Sequence, residues 1–121
     1  MLTKVIEWNG ATITLRRSIV RDRILINAAV RMMGIDPDLP EDFHSKKLLA
    51  TLVYQAEIEG DIGIKLPDKA ATEEDWKRAY NEFIFLDGGF YDELTNAAFD
   101  VDRPLNDPDL LPPEAVPEKN D

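Results

Sequence analysis

At 121 residues the chain has room for one domain with a modest core. Its 24 Asp and Glu outweigh 14 Lys and Arg to give a net charge of -10, and with one His and no Cys it excludes disulfides and thiolate metal sites. Apolar residues make up 44% and charged residues 31%, the balance expected of a globular protein and not of a disordered or membrane-embedded one.

The first predicted element is a β-hairpin. Thr3 to Trp8 and Ala11 to Arg16 are short β-branched runs joined by Asn9-Gly10, the dipeptide that best fits a type I′ turn. A two-residue loop pairs Trp8 with Ala11, Ile6 with Ile13 and Lys4 with Leu15 on the face to be buried. Two strands alone are marginal in water, so the hairpin must lie on helices, extend a partner's sheet or pair with another copy.

A helix is predicted from about Ile19 to Met33, with Ser18 as N-cap and Gly34 just past its end. Leu25, Ile26, Ala29, Val30, Met32 and Met33 share its apolar face, and Arg23, Asn27 and Arg31 form an i, i+4, i+8 ridge on the other. That ridge is an ordinary solvated face or a docking ridge for an acidic partner. A second helix is predicted from Pro40 to Glu59, ended by Gly60, with Leu48, Leu49, Leu52, Val53 and Ala56 as its main stripe. Residues 61–71 read as a loop. Thr72 and Asp75 then open a third helix as a capping box, and Trp76, Ala79, Tyr80, Phe83 and Ile84 carry its period towards Leu86. Gly88-Gly89 breaks or kinks this pattern, and a last helix runs from Phe90 to about Phe99. The resulting fold class is mainly α: a domain over residues 1–102 with three to four helices and an N-terminal hairpin at 3–16. Residues 103–121, rich in Pro and acids, form a mobile tail.

Charge is segregated along the chain. Residues 1–35 carry Lys4, Arg16, Arg17, Arg21, Arg23 and Arg31 against only Glu7 and Asp22. The acidic total disfavours attraction to bulk nucleic acid, while leaving the arginines able to meet an acidic partner. The longest apolar stretch, Ile24 to Val30, falls far short of the ~18 residues of a membrane span, and residues 1–10 lack the apolar core of an export signal. A cytoplasmic location follows as the expectation.

No catalytic constellation stands out. His44 and Ser45 are neighbours on a helix and point in different directions, which argues against a nucleophile and its base. Asp100, Asp102, Asp107 and Asp109 lack the spacing of a calcium loop, with Pro104 and Leu105 where ligand and Gly belong. The expectation is no catalytic residue, no metal and no cofactor. Seven of the ten aromatics crowd into residues 76–99, more than a short helical hairpin buries alone. Trp76, Tyr80 and Phe83 are expected in the core. Phe85, Phe90 and Tyr91 divide between core and an interface with a partner or a second copy in a homo-oligomer.

The order of these features resembles the tail assembly chaperones of long-tailed bacteriophages. The resemblance rests on the opening IEWNGATITLRR, the helix VRDRILINAAVRMMG, the segment TEEDWKRAYNEFIFLDGGFYDELTNAAF and the closing DRPLNDPDLLPP. It implies a small helical, non-enzymatic protein of the bacterial host cytoplasm that binds the tape-measure protein and helps recruit tail-tube subunits. The residues proposed to meet a partner are Phe85, Phe90, Tyr91, Arg23, Asn27 and Arg31. From a different class comes the alternative that the net charge allows: an acidic mimic of DNA that blocks a nuclease or restriction enzyme.

Overall fold

The fold is that of a computed structural model that describes residues 2–69 and 71–103. Seven elements follow in chain order: β1 (Thr3–Trp8), β2 (Ala11–Arg16), α1 (Val20–Met33), α2 (Pro40–Tyr54), β3 (Ala56–Glu59), α3 (Glu73–Phe83) and α4 (Gly88–Val101). The tail expected at 103–121 lies, from Pro104 onwards, outside the described residues.

The hairpin has the register that its loop dictates, Trp8 opposite Ala11, Ile6 opposite Ile13 and Lys4 opposite Leu15. Asn9 and Gly10 both take positive φ, 48° and 86°, as a type I′ turn requires. Ile6, Ala11, Ile13 and Leu15 are buried, whereas Val5 on the other face is exposed. Of the three ways to stabilise a hairpin the chain uses packing on helices, and it adds one not anticipated, a third strand of its own.

That strand corrects the second predicted helix, which stops at Tyr54 instead of running to Glu59. Ala56–Glu59 pairs antiparallel with β2, giving a sheet of order β1-β2-β3 with Ile58 opposite Ile13. The physical reason is alternation. Ala56 and Ile58 point to the helices while Glu57 and Glu59 face solvent, a period of two that no helix satisfies. Gly60 then turns back at φ 95°, and a Cβ there would stand 3.0 Å from Ala11 Cα and 3.2 Å from the Gly10 carbonyl oxygen.

The helices cover one face of this sheet. Residues Leu48 to Gln55 of α2 and the turn after it are all buried, because the helix end is surrounded by the sheet and the other helices. Tyr54 stacks on Trp76 of α3 at 6.0 Å between ring centroids, and Trp8 of β1 lies 5.6 Å from Phe90 of α4. The capping box at Thr72 is present, Thr72 Oγ1 accepting from the Asp75 N–H and Asp75 accepting from the Thr72 N–H. Gly88 and Gly89 open α4 and do not interrupt a helix; Asp87 caps them, its side chain accepting from the Gly89 N–H at 2.7 Å.

The start of α1 differs from the expected Ser18 cap. Ile19 takes the cap position, and Asp22 Oδ2 accepts its N–H at 2.9 Å. Asp22 is buried and receives Arg16 through both terminal guanidinium nitrogens, at 2.5 and 2.9 Å. The Arg16 hydrogen bond is the main reason that the Asp22 carboxyl titrates below its ordinary range, with the Ile19 N–H adding to it against the cost of burial. Asp42 is held low in the same way, first by Lys46 Nζ at 2.6 Å and then by the Tyr80 hydroxyl at 2.5 Å.

Carboxyls with lowered values stabilise the fold above the ordinary carboxylate range, near pH 4, and lose that contribution as pH falls through their native values. Asp22→Asn is therefore expected to cost about 2 kcal/mol at pH 7, moderated because Arg16 is partly solvated. Urea unfolding of wild type and variant at pH 7 and pH 3 checks this. The gap between them should narrow at the lower pH, and a constant gap would contradict the assignment.

Candidate functional site

Two surfaces meet at α1. Its buried side, Asp22, Ile26, Ala29, Val30 and Met33, is turned inward, while Leu25 is half-buried and Met32, expected on that side, is exposed. Pointing the other way are Val20, 75% exposed, and Ile24, 62% exposed, one turn apart, with Arg21, Arg23, Asn27 and Arg31 around them. Ile19 and Ile35 extend the apolar surface at either end. Asp22 is the helix's one acid and is turned inward to Arg16, so this outer face is apolar and cationic with no carboxylate of its own. Among the described residues none of Arg21, Arg23 and Arg31 has a carboxylate partner, although Arg23 Nε donates to Ser18 Oγ at 3.0 Å.

Around the edge of this face opens a groove of about 500 Å³. Arg23, Ile26 and Asn27 of α1 form one wall, and His44, Lys47, Leu48 and Thr51 of α2 with Gln55 form the floor. Thr95, Ala98 and Phe99 of α4, followed by Asp102 and Arg103, form the opposite wall. Phe99 is 67% exposed, a large apolar surface at the groove's rim under the Arg103 guanidinium, which lies 5.2 Å from the ring centroid. Asp102, the one acid in the lining, already accepts the Ser18 N–H at 2.8 Å. His44 is half-buried, its Nε2 3.4 Å from Thr95 Oγ1 and its ring edge-on to Tyr91.

The residues expected to meet a partner separate clearly. Arg23 and Asn27 line the groove and Arg31 continues the exposed face of α1. Phe85 is 85% exposed in the turn between α3 and α4, beside the exposed Ile84. Phe90 is a correction. At 1% exposure it is packed on Trp8 in the core, because it sits on the side of α4 that covers β1. Tyr91 is half-buried and spends its hydroxyl within the fold, donating to Glu41 Oε2 at 3.1 Å and accepting from Ser45 Oγ at 3.5 Å. Burial and the nearby carboxylate of Glu41 push its phenol up, against the opposing Ser45 bond. Sequence reasoning overlooked Lys47, Thr51, Thr95 and Phe99, which periodicity alone cannot bring together because they lie on two helices far apart in the chain.

Asp100 of the acidic cluster pairs with Lys4 and Arg103, while Asp107 and Asp109 lie outside the described residues. Among the described residues no group of three His, Cys, Asp or Glu is placed to hold a metal ion, and no helix is long and apolar enough to cross a membrane. No family model matches the sequence, and comparison with curated proteins and with solved structures gives no match.

The two phenylalanines differ enough to separate by mutation. Phe90→Ala should cost about 3–5 kcal/mol by leaving a cavity against Trp8, and Phe85→Ala less than about 0.5 kcal/mol. Chemical denaturation followed by tryptophan fluorescence measures both, and equal losses would contradict their placement.

Proposed function

We propose that the chain is a non-enzymatic tail assembly chaperone of the kind its layout resembles. Its clients are a tape-measure protein, whose apolar helices it shields, and the tail-tube subunits recruited around it. The observation that carries the reading is the outer face of α1, where Val20 and Ile24 stand exposed among arginines that meet no carboxylate among the described residues, in a chain of net charge -10. Apolar side chains exposed at i and i+4 cost nothing to the fold and suit the groove between two turns of a client helix. Arginine beside them both tolerates burial at an interface and selects for acidic flanks. The same face speaks against the DNA-mimic alternative, since a surface displaying Arg21, Arg23 and Arg31 is repelled by the cationic cleft of a nuclease.

Co-expression with a long helical protein of the tape-measure kind, taken from beside the chain's gene where one is encoded there, tests the proposal. Wild type should keep that protein soluble and copurify with it. Val20→Asp combined with Ile24→Asp should weaken the association at least ~30-fold, on the order of 2 kcal/mol, with helical circular dichroism unchanged. Capture of a restriction nuclease in place of the long-helix protein, or binding indifferent to the double substitution, would overturn it.

A further inference from the structure

The groove between α1, α2 and α4 brings cationic, uncharged polar and apolar side chains into one lining. Arg23 of α1 and Lys47 of α2 both line it, and neither has a carboxylate partner among the described residues, despite the chain's surplus of acids. Asn27, Thr51 and Thr95 add uncharged hydrogen-bonding groups between them, and Phe99 supplies an apolar rim. The lining's single acid, Asp102, is committed to the Ser18 N–H. Lys4, Arg16, Lys46, Lys77, Arg78 and Arg103 each meet a carboxylate, whereas Arg23 and Lys47, like Arg21 and Arg31 on the outer face of α1, meet none among the described residues. Unpaired cations from a wall and the floor of one groove therefore complement an anionic occupant, and the apolar rim asks for an aliphatic side chain next to the anion. A volume of about 500 Å³ accommodates a few side chains and not a whole helix.

We infer that this groove is an anchor for an acidic, leucine-bearing segment of a partner protein: one or two carboxylates between Arg23 and Lys47, and an adjacent aliphatic side chain on Phe99. The inference rests on the reading of the chain as a binding protein for helical clients and adds the chemistry by which a client is chosen. The apolar strip of Val20 and Ile24 holds any amphipathic helix; the groove selects those with an acidic flank. Rejection of neutral helices follows from the desolvation of Arg23 and Lys47, which a carboxylate offsets and an amide does not.

Two fluorescein-labelled helical peptides test the inference against the full chain by anisotropy. Both carry Leu along one face; one has Glu on the flank of that face and the other has Gln at the same positions. The Glu peptide should bind at least ~10-fold more tightly, and the preference should shrink as salt rises from 50 to 500 mM. In a chain with Arg23→Gln and Lys47→Gln the two peptides should bind alike, while the double substitution at Val20 and Ile24 should weaken both equally. Equal binding of the two peptides to wild type, or a Glu preference that survives loss of Arg23 and Lys47, overturns the groove while leaving the chaperone reading intact. A chain with Asp107→Asn, Asp109→Asn and Glu114→Gln separates the remaining occupant. Unchanged affinity for the Glu peptide supports a partner's segment, and a gain of ~10-fold would make the chain's own acidic segment the occupant and overturn the inference.

Discussion

Two adjacent guanidinium groups, those of Arg16 and Arg17, hold the ends of the structure together. A helix leaves its last carbonyls without intrahelical partners, and a buried helix end must find donors elsewhere. Arg16 supplies one to α2, its Nη2 donating to the Tyr54 carbonyl at 2.8 Å, while both its terminal nitrogens grip Asp22 at the start of α1. Arg17 supplies the end of α4, donating to the carbonyls of Val101 and Arg103. Their backbones are tied as well: Arg16 N–H to the Gln55 carbonyl, the Gln55 side chain to the Arg16 carbonyl, and Arg17 N–H to the Leu2 carbonyl. Four elements thus converge on a two-residue segment that leaves β2 and enters α1. Positive charge at two helix C-termini is also favourable to both helix dipoles.

This division of labour explains the basic front of the chain. Arg16 and Arg17 are spent inside the fold, where planar guanidinium groups satisfy several oxygens at once. Arg21, Arg23 and Arg31, a few residues on, have no carboxylate partner among the described residues and are left on the outer face of α1. By fixing where α1 begins, the junction also fixes which of its sides faces outward. The proposed client surface is thereby a consequence of how the helix is anchored, and both walls of the groove stand on elements that the two arginines bind.

Elements with a strong local signal were legible in the sequence. Asn9-Gly10 specified turn and register together, and Thr72 with Asp75 specified the start of α3. Less legible were features decided by tertiary pairing. The alternation of Ala56 and Ile58 with Glu57 and Glu59 spans only four residues, too few to stand out from the apolar stripe of α2 that precedes it, and it is pairing with the open edge of β2 that makes them a strand. Phe90 and Phe85 have the same side chain and lie five residues apart; the packing of α4 over β1 decides which is core and which is exposed. Arg23, Asn27 and Arg31 were recognisable as an outward ridge from spacing, whereas their counterpart Lys47 gave no signal, since a lone lysine on a helix is ordinary. The groove arises from the angle between helices, which no window of sequence encodes.

Native-state amide exchange in Arg16→Met tests most directly whether the arginine junction organises the structure. Methionine preserves much of the side chain's apolar length and removes every donor. If the junction couples its elements as described, the amides of Ala56–Glu59 and of the first turns of α1 lose protection together, by a common factor. The amides of α4, which Arg17 still caps, would keep theirs. Exchange in β3 and α1 unchanged from wild type, or an equal loss at every protected amide, would contradict it.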